Sequence, residues 1–204
     1  MKPREENIIG LTGLSCAGKN YTARLLEARG LPVLDVDSLG RAALNLEKAA
    51  VAARFGAGIL DGAGEVDRKK LGALVFGRAG ELAALEAIVH PAANRLTGEW
   101  IDRQRGRPCV VNAALLHRSA AFDRLSAIIL VESWLPLRLI RARRRDKLPW
   151  PVILRRFRSQ RHFTAQYLSK GADIYRVYNN PFAPALELQI EGIILRLRQS
   201  GMVW

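Results

Sequence analysis

The segment Gly13-Leu14-Ser15-Cys16-Ala17-Gly18-Lys19-Asn20 sets two glycines either side of four residues and places a lysine directly after the second. This GxxxxGK spacing is the body of a Walker A loop, whose backbone N–H groups wrap phosphate oxygens while the lysine ammonium reaches the β- and γ-phosphates. The chemistry it predicts is nucleotide binding and phosphoryl transfer. Gly13, Leu14, Ser15, Cys16, Ala17, Gly18, Lys19, Asn20 and Tyr21 are therefore the candidate ATP-binding residues. Lys19 is also a candidate catalytic residue. The loop ordinarily ends in a Ser or Thr whose hydroxyl ligates magnesium, and here that position is Asn20. Its amide oxygen is a candidate Mg2+ ligand of longer reach.

The run Pro32-Val33-Leu34-Asp35-Val36-Asp37 reads as a short strand ending in a carboxylate eighteen positions beyond Lys19. Asp37 has two readings, the N-cap of a helix starting at Ser38 or, one βα unit after the phosphate loop, a part in catalysis. Arg41 follows one helical turn later and is a candidate for a phosphate or carboxylate contact on the same face, or for a solvated helix face. Arg138, Arg141, Arg143, Arg144, Arg145, Arg155, Arg156, Arg158 and Arg161 make a dense basic stretch. Most of these are expected to be solvated or loosely anion-binding.

These side chains need elements to position them. Ile8-Ile9-Gly10-Leu11-Thr12 is a continuous apolar run of the kind buried on both faces of a parallel sheet. After the loop, Tyr21, Leu25, Leu26 and Ala28 are spaced as one buried helix face, ended by Gly30 and Pro32. The β-loop-α-β opening predicts a parallel α/β fold. Helical patterns then cover Ser38 to Phe55, a segment through Arg68, Leu71, Leu74 and Phe76 capped by Asp67, and Glu81 to about Arg105 with a break or kink at His90-Pro91. Strands resume at Cys109–Ala113 and Ala127–Glu132. Helices are expected at Leu135–Arg145 and from Pro151, a strand at Ile174–Tyr178 and a closing helix over Ala183–Arg198.

The P-loop, followed by Leu34-Asp35-Val36-Asp37-Ser38-Leu39-Gly40-Arg41 and then in order by Phe55-Gly56, Asp67-Arg68-Lys69-Lys70-Leu71, His90-Pro91, Arg145-Asp146, Gln160 and Ala172-Asp173, resembles the dephospho-coenzyme A kinase family over most of the chain. The resemblance implies a three-layer α/β P-loop kinase with a parallel core sheet, an inserted helical substrate lobe at about 60–107 and an arginine-rich lid at about 141–165 in one domain. It implies ATP and Mg2+ as cosubstrate and cofactor, and phosphorylation of the ribose 3′-hydroxyl of dephospho-coenzyme A. Within it Asp37 takes or orients the hydroxyl proton, Arg41 and His90 stand on the substrate side, and Arg145 reaches the transferring phosphate. Two departures stand out. Leu14 and Cys16 occupy positions where related kinases often carry glycine. In Ala114-Leu115-Leu116-His117, Ala114 and His117 replace the Pro and Glu of the family's Pro-Leu-Leu-Phe/Val-Glu sequence.

A net charge of +13, from 32 Lys and Arg against 19 Asp and Glu, points to a polyanionic partner. Charge alone favours nucleic acid, but no motif with interleaved aromatics accompanies it, and phosphorylated substrates explain it equally. Cys16 and Cys109 make no disulfide framework, and with His90, His117 and His162 they match no metal-ligand spacing. The charged first residues and the lack of an apolar run of about 20 predict no secretory leader and no membrane span. A monomer in the cytoplasm is the expectation. Two other readings remain open: a P-loop kinase for a nucleoside monophosphate or another small hydroxyl compound, and a diverged, weakly catalytic protein that binds nucleotide or nucleic acid.

Overall fold

The computed structural model describes residues 7–158 and 172–202. Five parallel strands form one sheet in the order β2-β3-β1-β4-β5: β1 (Ile8–Gly13), β2 (Val33–Asp35), β3 (Cys109–Asn112), β4 (Ala127–Glu132) and β5 (Asp173–Tyr178). The period-two alternation of strand side chains divides the core in two. Ile9, Leu11, Val110, Ile129 and Val131 face one side, where they pack with Leu26 of α1 (Lys19–Glu27) and Ile190 and Ile193 of the closing helix Leu186–Gln199. Ile8, Val111, Ile128 and Leu130 face the other, against Ile101 and the β3–β4 connection through Leu116 and Leu125. A methyl group at Gly10 would lie 2.5 Å from Leu116 Cδ2, so the glycine in β1 lets that connection seat directly on the strand.

The middle of the chain is helical: α2 (Val36–Leu46), α3 (Lys48–Phe55), α4 (Arg68–Val75) and α5 (Ala79–Arg103). Val51, Ile59, Val66, Leu71 and Val75 form a separate apolar cluster with Leu44, Leu85 and Ile88 packed against it. α5 thus runs from this cluster to the sheet, where its Ile101 is buried. After β4 come α6 (Leu135–Asp146) and α7 (Trp150–Arg158), and β5 leads to the closing helix, α8.

Four expectations need correcting. Of the break or kink expected at Pro91, the break does not occur: α5 continues through it, since tertiary packing on α2 holds a helix that forgoes a single backbone hydrogen bond to the Ala87 carbonyl. β2 ends at Asp35, so Asp37 lies in the first turn of α2 and not at a strand end. Tyr21 is turned away from the core, 44% exposed, and its hydroxyl donates to Glu187; Thr22, Ala23 and Leu26 make the buried face of α1. Phe76 is 78% exposed, because α4 ends at Val75 and leaves it outside the helical cluster. Asp67 caps α4 as expected, accepting from the amides of Lys69 and Lys70 at 2.9 and 3.2 Å. Of the segment expected as a lid, residues 159–165, including Gln160, Arg161 and His162, lie outside the described residues.

Candidate active site

The phosphate loop leaves β1 at Gly13, where an added Cβ would stand 2.6 Å from the Val131 carbonyl oxygen; the glycine permits β1 and β4 to lie this close. A tight turn follows, with the Ala17 amide donating to the Leu14 carbonyl at 3.0 Å. Cys16 takes a left-handed φ of 60° and Gly18 a φ of 113°. Cys16 therefore occupies the backbone conformation that favours glycine, while Leu14 has no positive φ. Among the described residues, the backbone N–H groups of Cys16, Gly18, Lys19 and Asn20 donate to no acceptor. Four open donors within five residues, ending at a helix N-terminus, form a nest suited to a polyphosphate. Lys19 is largely sheltered, with 13% of its side chain exposed, whereas Asn20 and Tyr21 are exposed.

Asp35 caps α2, its Oδ1 accepting from the Asp37 amide at 3.1 Å, while Ser38 Oγ donates to the Asp35 carbonyl at 2.6 Å. The capping role considered for Asp37 thus belongs to Asp35. That leaves the Asp37 carboxylate 56% exposed, with Oδ2 3.4 Å from Lys19 Nζ. Arg41, one turn further on, is exposed and makes no ion pair among the described residues. His90 is exposed on α5, the helix packed against α2, and forms no hydrogen bond with Asp37 or Arg41. The fold brings Lys19 and Asp37 into contact and joins neither Arg41 nor His90 to them directly.

Arg145 binds its neighbour Asp146 through two hydrogen bonds of 2.7 and 3.2 Å, and Arg156 of α7 reaches the same carboxylate at 3.0 Å. The Arg145 hydrogen bond, more than the nearby charges, holds Asp146 below the usual carboxylate range and pushes Arg145 further up. The arginine stretch is not one solvated set. Arg138 is 6% exposed and donates from Nε to the Ser15 carbonyl at 2.9 Å. Burial lowers its pKa from the ordinary arginine value. Arg141 spans the Cys16 and Ala17 carbonyls at 3.4 and 3.5 Å, Ser133 Oγ at 3.2 Å and Asn179 Oδ1 at 3.3 Å. Asn179 Nδ2 donates to the Ala17 carbonyl at 2.8 Å. Sequence reasoning missed this second row behind the loop. The available signal was phasing: Arg138, Arg141 and Ala142 share one face of α6 at i, i+3 and i+4, while Ile140, Arg143 and Arg144 point outward.

At the end of β3, Asn112 is 3% exposed and its Oδ1 finds no donor among the described residues; the strand register sets it beside Asp35. His117 lies in the connection that follows, its pKa lowered by burial first and then by Arg118. Counted from Ala114, the fifth position of the Pro-Leu-Leu-Phe/Val-Glu pattern falls on Arg118, one residue beyond His117. Arg118 Nη1 lies 3.4 Å from Glu86 Oε2 of α5.

A model of the family described as dephospho-CoA kinase matches residues 7–179. The chain belongs to the dephospho-CoA kinase family. A dephospho-CoA kinase of Treponema denticola is 34% identical over 190 residues, covering 87% of this chain and 84% of its own. A crystal structure from Thermus thermophilus superposes with a TM-score of 0.74 at 29% identity, over 96% of this chain and 98% of that one. The dephospho-CoA kinase of Campylobacter jejuni shares the fold at a TM-score of 0.67 and 20% identity, over 95% and 98% of the two chains. Together with the five-stranded parallel sheet, these establish the three-layer P-loop kinase fold for this chain.

Proposed function

We infer that this chain transfers the γ-phosphoryl group of ATP to the ribose 3′-hydroxyl of dephospho-CoA. The observation that carries the reading is the pairing of an open-amide phosphate nest with a lysine and a carboxylate 3.4 Å apart, in a chain that the family model matches over residues 7–179. The loop amides and Lys19 hold the β- and γ-phosphates. Asp37 accepts the hydroxyl proton as the new O–P bond forms, and the bond from phosphorus to the β,γ-bridging oxygen breaks, its electron pair leaving with ADP. Lys19 offsets the charge that grows on the bridging and equatorial oxygens.

Arg145 stands as the lid residue for the transferring phosphate: its hydrogen bonds with Asp146 hold the planar fork in one orientation. The Asn20 amide oxygen is a hard donor, exposed and without a hydrogen bond among the described residues, so its chemistry fits Mg2+. Asn20 would hold the ion, which supplies charge neutralisation on phosphate oxygens. The helical cluster of α2 to α5 is the candidate acceptor lobe, with Arg41 on the substrate face and His90 at its exposed margin. A monomer in the cytoplasm completes the reading. No helix among the described residues is long and apolar enough to cross a membrane.

The test is ADP release measured with dephospho-CoA and with a panel of nucleoside monophosphates. Release confined to dephospho-CoA, with a product heavier by one phosphoryl group, is the expected result. Faster release with a nucleoside monophosphate would move the chain to another acceptor. ATP binding without release on any acceptor would leave a nucleotide-binding protein.

A further inference from the structure

The planar trans peptide points the carbonyl of one residue and the N–H of the next in opposite directions, so a bond that fixes the carbonyl also fixes the amide. No peptide among the described residues is cis. Two of the four open loop amides follow directly on a carbonyl tethered by a side chain distant in sequence; the Lys19 amide follows the Gly18 carbonyl, which the first turn of α1 holds through the Tyr21 and Thr22 amides at 2.9 and 3.0 Å. The Ser15 carbonyl is held by Arg138 at 2.9 Å and precedes the Cys16 N–H. The Ala17 carbonyl is held by Asn179 at 2.8 Å and precedes the Gly18 N–H. The nest is therefore oriented from behind, by side chains 123 and 162 positions away in sequence.

Arg138 also connects the loop to a further element. Its guanidinium lies 4.8 Å from the ring centre of Phe157 on α7. Ala142, Ile153 and Phe157 form a small buried cluster, and the Cys16 side chain packs against it. The left-handed Cys16 thus has its thiol set into the α6–α7 pair, while the carbonyl before it is held by an arginine of the same pair. Burying a guanidinium to 6% exposure carries a desolvation cost, which favours a specific role over a passive one.

We propose that Arg138 is a positioning residue for nucleotide binding: it holds the Ser15 carbonyl so that the Cys16 N–H stays fixed in the phosphate nest, and through Phe157 it couples that nest to α7. The proposal rests on the reading that ATP phosphates occupy this loop. Lysine cannot reproduce the arrangement, because it lacks the planar fork that presents Nε to a carbonyl while its face lies on a ring.

The test compares Arg138→Met, which keeps the length and loses the donors, with the wild-type chain in calorimetric titrations of ATP and ADP and in steady-state kinetics. The expected result is ATP and ADP affinity lower by about tenfold, the size of one lost hydrogen bond to a charged donor. The KM for ATP should rise by the same factor and the KM for dephospho-CoA should not move. Arg138→Lys should recover less than half of the loss on a logarithmic scale. Phe157→Leu keeps every hydrogen bond and removes the ring, so ATP affinity should fall about twofold to fivefold.

A purely structural arginine would lower the melting temperature and leave nucleotide affinity unchanged below it. That outcome for folded Arg138→Met overturns the proposal. Should that variant not fold, wild-type ATP affinity in folded Phe157→Leu overturns the coupling to α7 on which the proposal depends. Failure of the wild-type chain itself to bind ATP would instead overturn the assignment of the loop.

Discussion

Lys19 Nζ stands 3.4 Å from Asp37 Oδ2, across the mouth between the phosphate loop and the first turn of α2. The separation permits direct interaction, yet 56% of the Asp37 side chain remains exposed, so the carboxylate is accessible to an incoming hydroxyl. A pair so open adds little to stability. Its significance is positional: the charge that follows the transferring phosphate and the group that takes the proton converge on one place.

Asp37→Asn should consequently separate chemistry from binding. Asparagine keeps the shape and loses the basic oxygen, so turnover should fall by about 10²–10⁴ while ATP affinity stays close to wild type. Because Asp35 already caps α2, the melting temperature should hardly change. Turnover, ATP titration and thermal unfolding on one preparation check all three. Near-normal turnover would take Asp37 out of the mechanism.

Asn20 follows Lys19 at the exposed head of α1, in the position where a hydroxyl usually ligates magnesium. The amide oxygen lies further from the backbone than a serine hydroxyl, and it must be placed differently to reach the same ion. Asn20→Ser is expected to lower the magnesium concentration giving half-maximal activity. A titration that shows an unchanged or higher requirement would mean that the loop is adapted to asparagine.

Much of this site was legible because its signals are local. The apolar runs of β1 and β4 are buried on both faces, so every side chain carries the same message. The GxxxxGK spacing encodes the loop, and the structure shows the left-handed conformation at Cys16 that a glycine would have taken more readily. What escaped was set by contacts distant in sequence. Asp35 and Asp37 are equally good caps as residue types, and only the short β2 ladder with β3, ending at the Asp35–Asn112 pair, decides between them. Pro91 reads as a helix break until α2 is packed alongside. Arg138 and Arg144 look alike in the arginine run; the Ser15 carbonyl buries one and solvent takes the other.

Asp67 offers a pH-dependent check on the helical cluster. Hydrogen bonds from the amides of Lys70 and Lys69 hold its carboxyl below the ordinary value. A depressed folded-state pKa means stabilisation that is fully present above the unfolded carboxyl value of about 4 and lost as pH falls through the folded value. Asp67→Ala should therefore lower the melting temperature at pH 7 by about 2–4 °C, and the gap between variant and wild type should close as the pH is taken below about 4. A gap independent of pH would show that the loss is not electrostatic.

Gly18 is constrained twice, and the two constraints can be separated. A methyl group there would stand 2.2 Å from Asn179 Nδ2, and the residue also holds a φ of 113° that an L side chain rarely adopts. Gly18→Ala should weaken ATP binding by more than about tenfold, because relieving either conflict turns the Gly18 amide out of the nest. Asn179→Ala alone removes the 2.8 Å hydrogen bond to the Ala17 carbonyl and should cost less, since Arg141 still approaches that oxygen at 3.5 Å. In the double variant Gly18→Ala/Asn179→Ala the steric conflict is gone, but the positive φ is still demanded. ATP affinity should then stay near that of Gly18→Ala. Recovery to the level of Asn179→Ala in a calorimetric titration would assign the whole requirement for glycine to the close approach of Asn179, and none of it to the backbone.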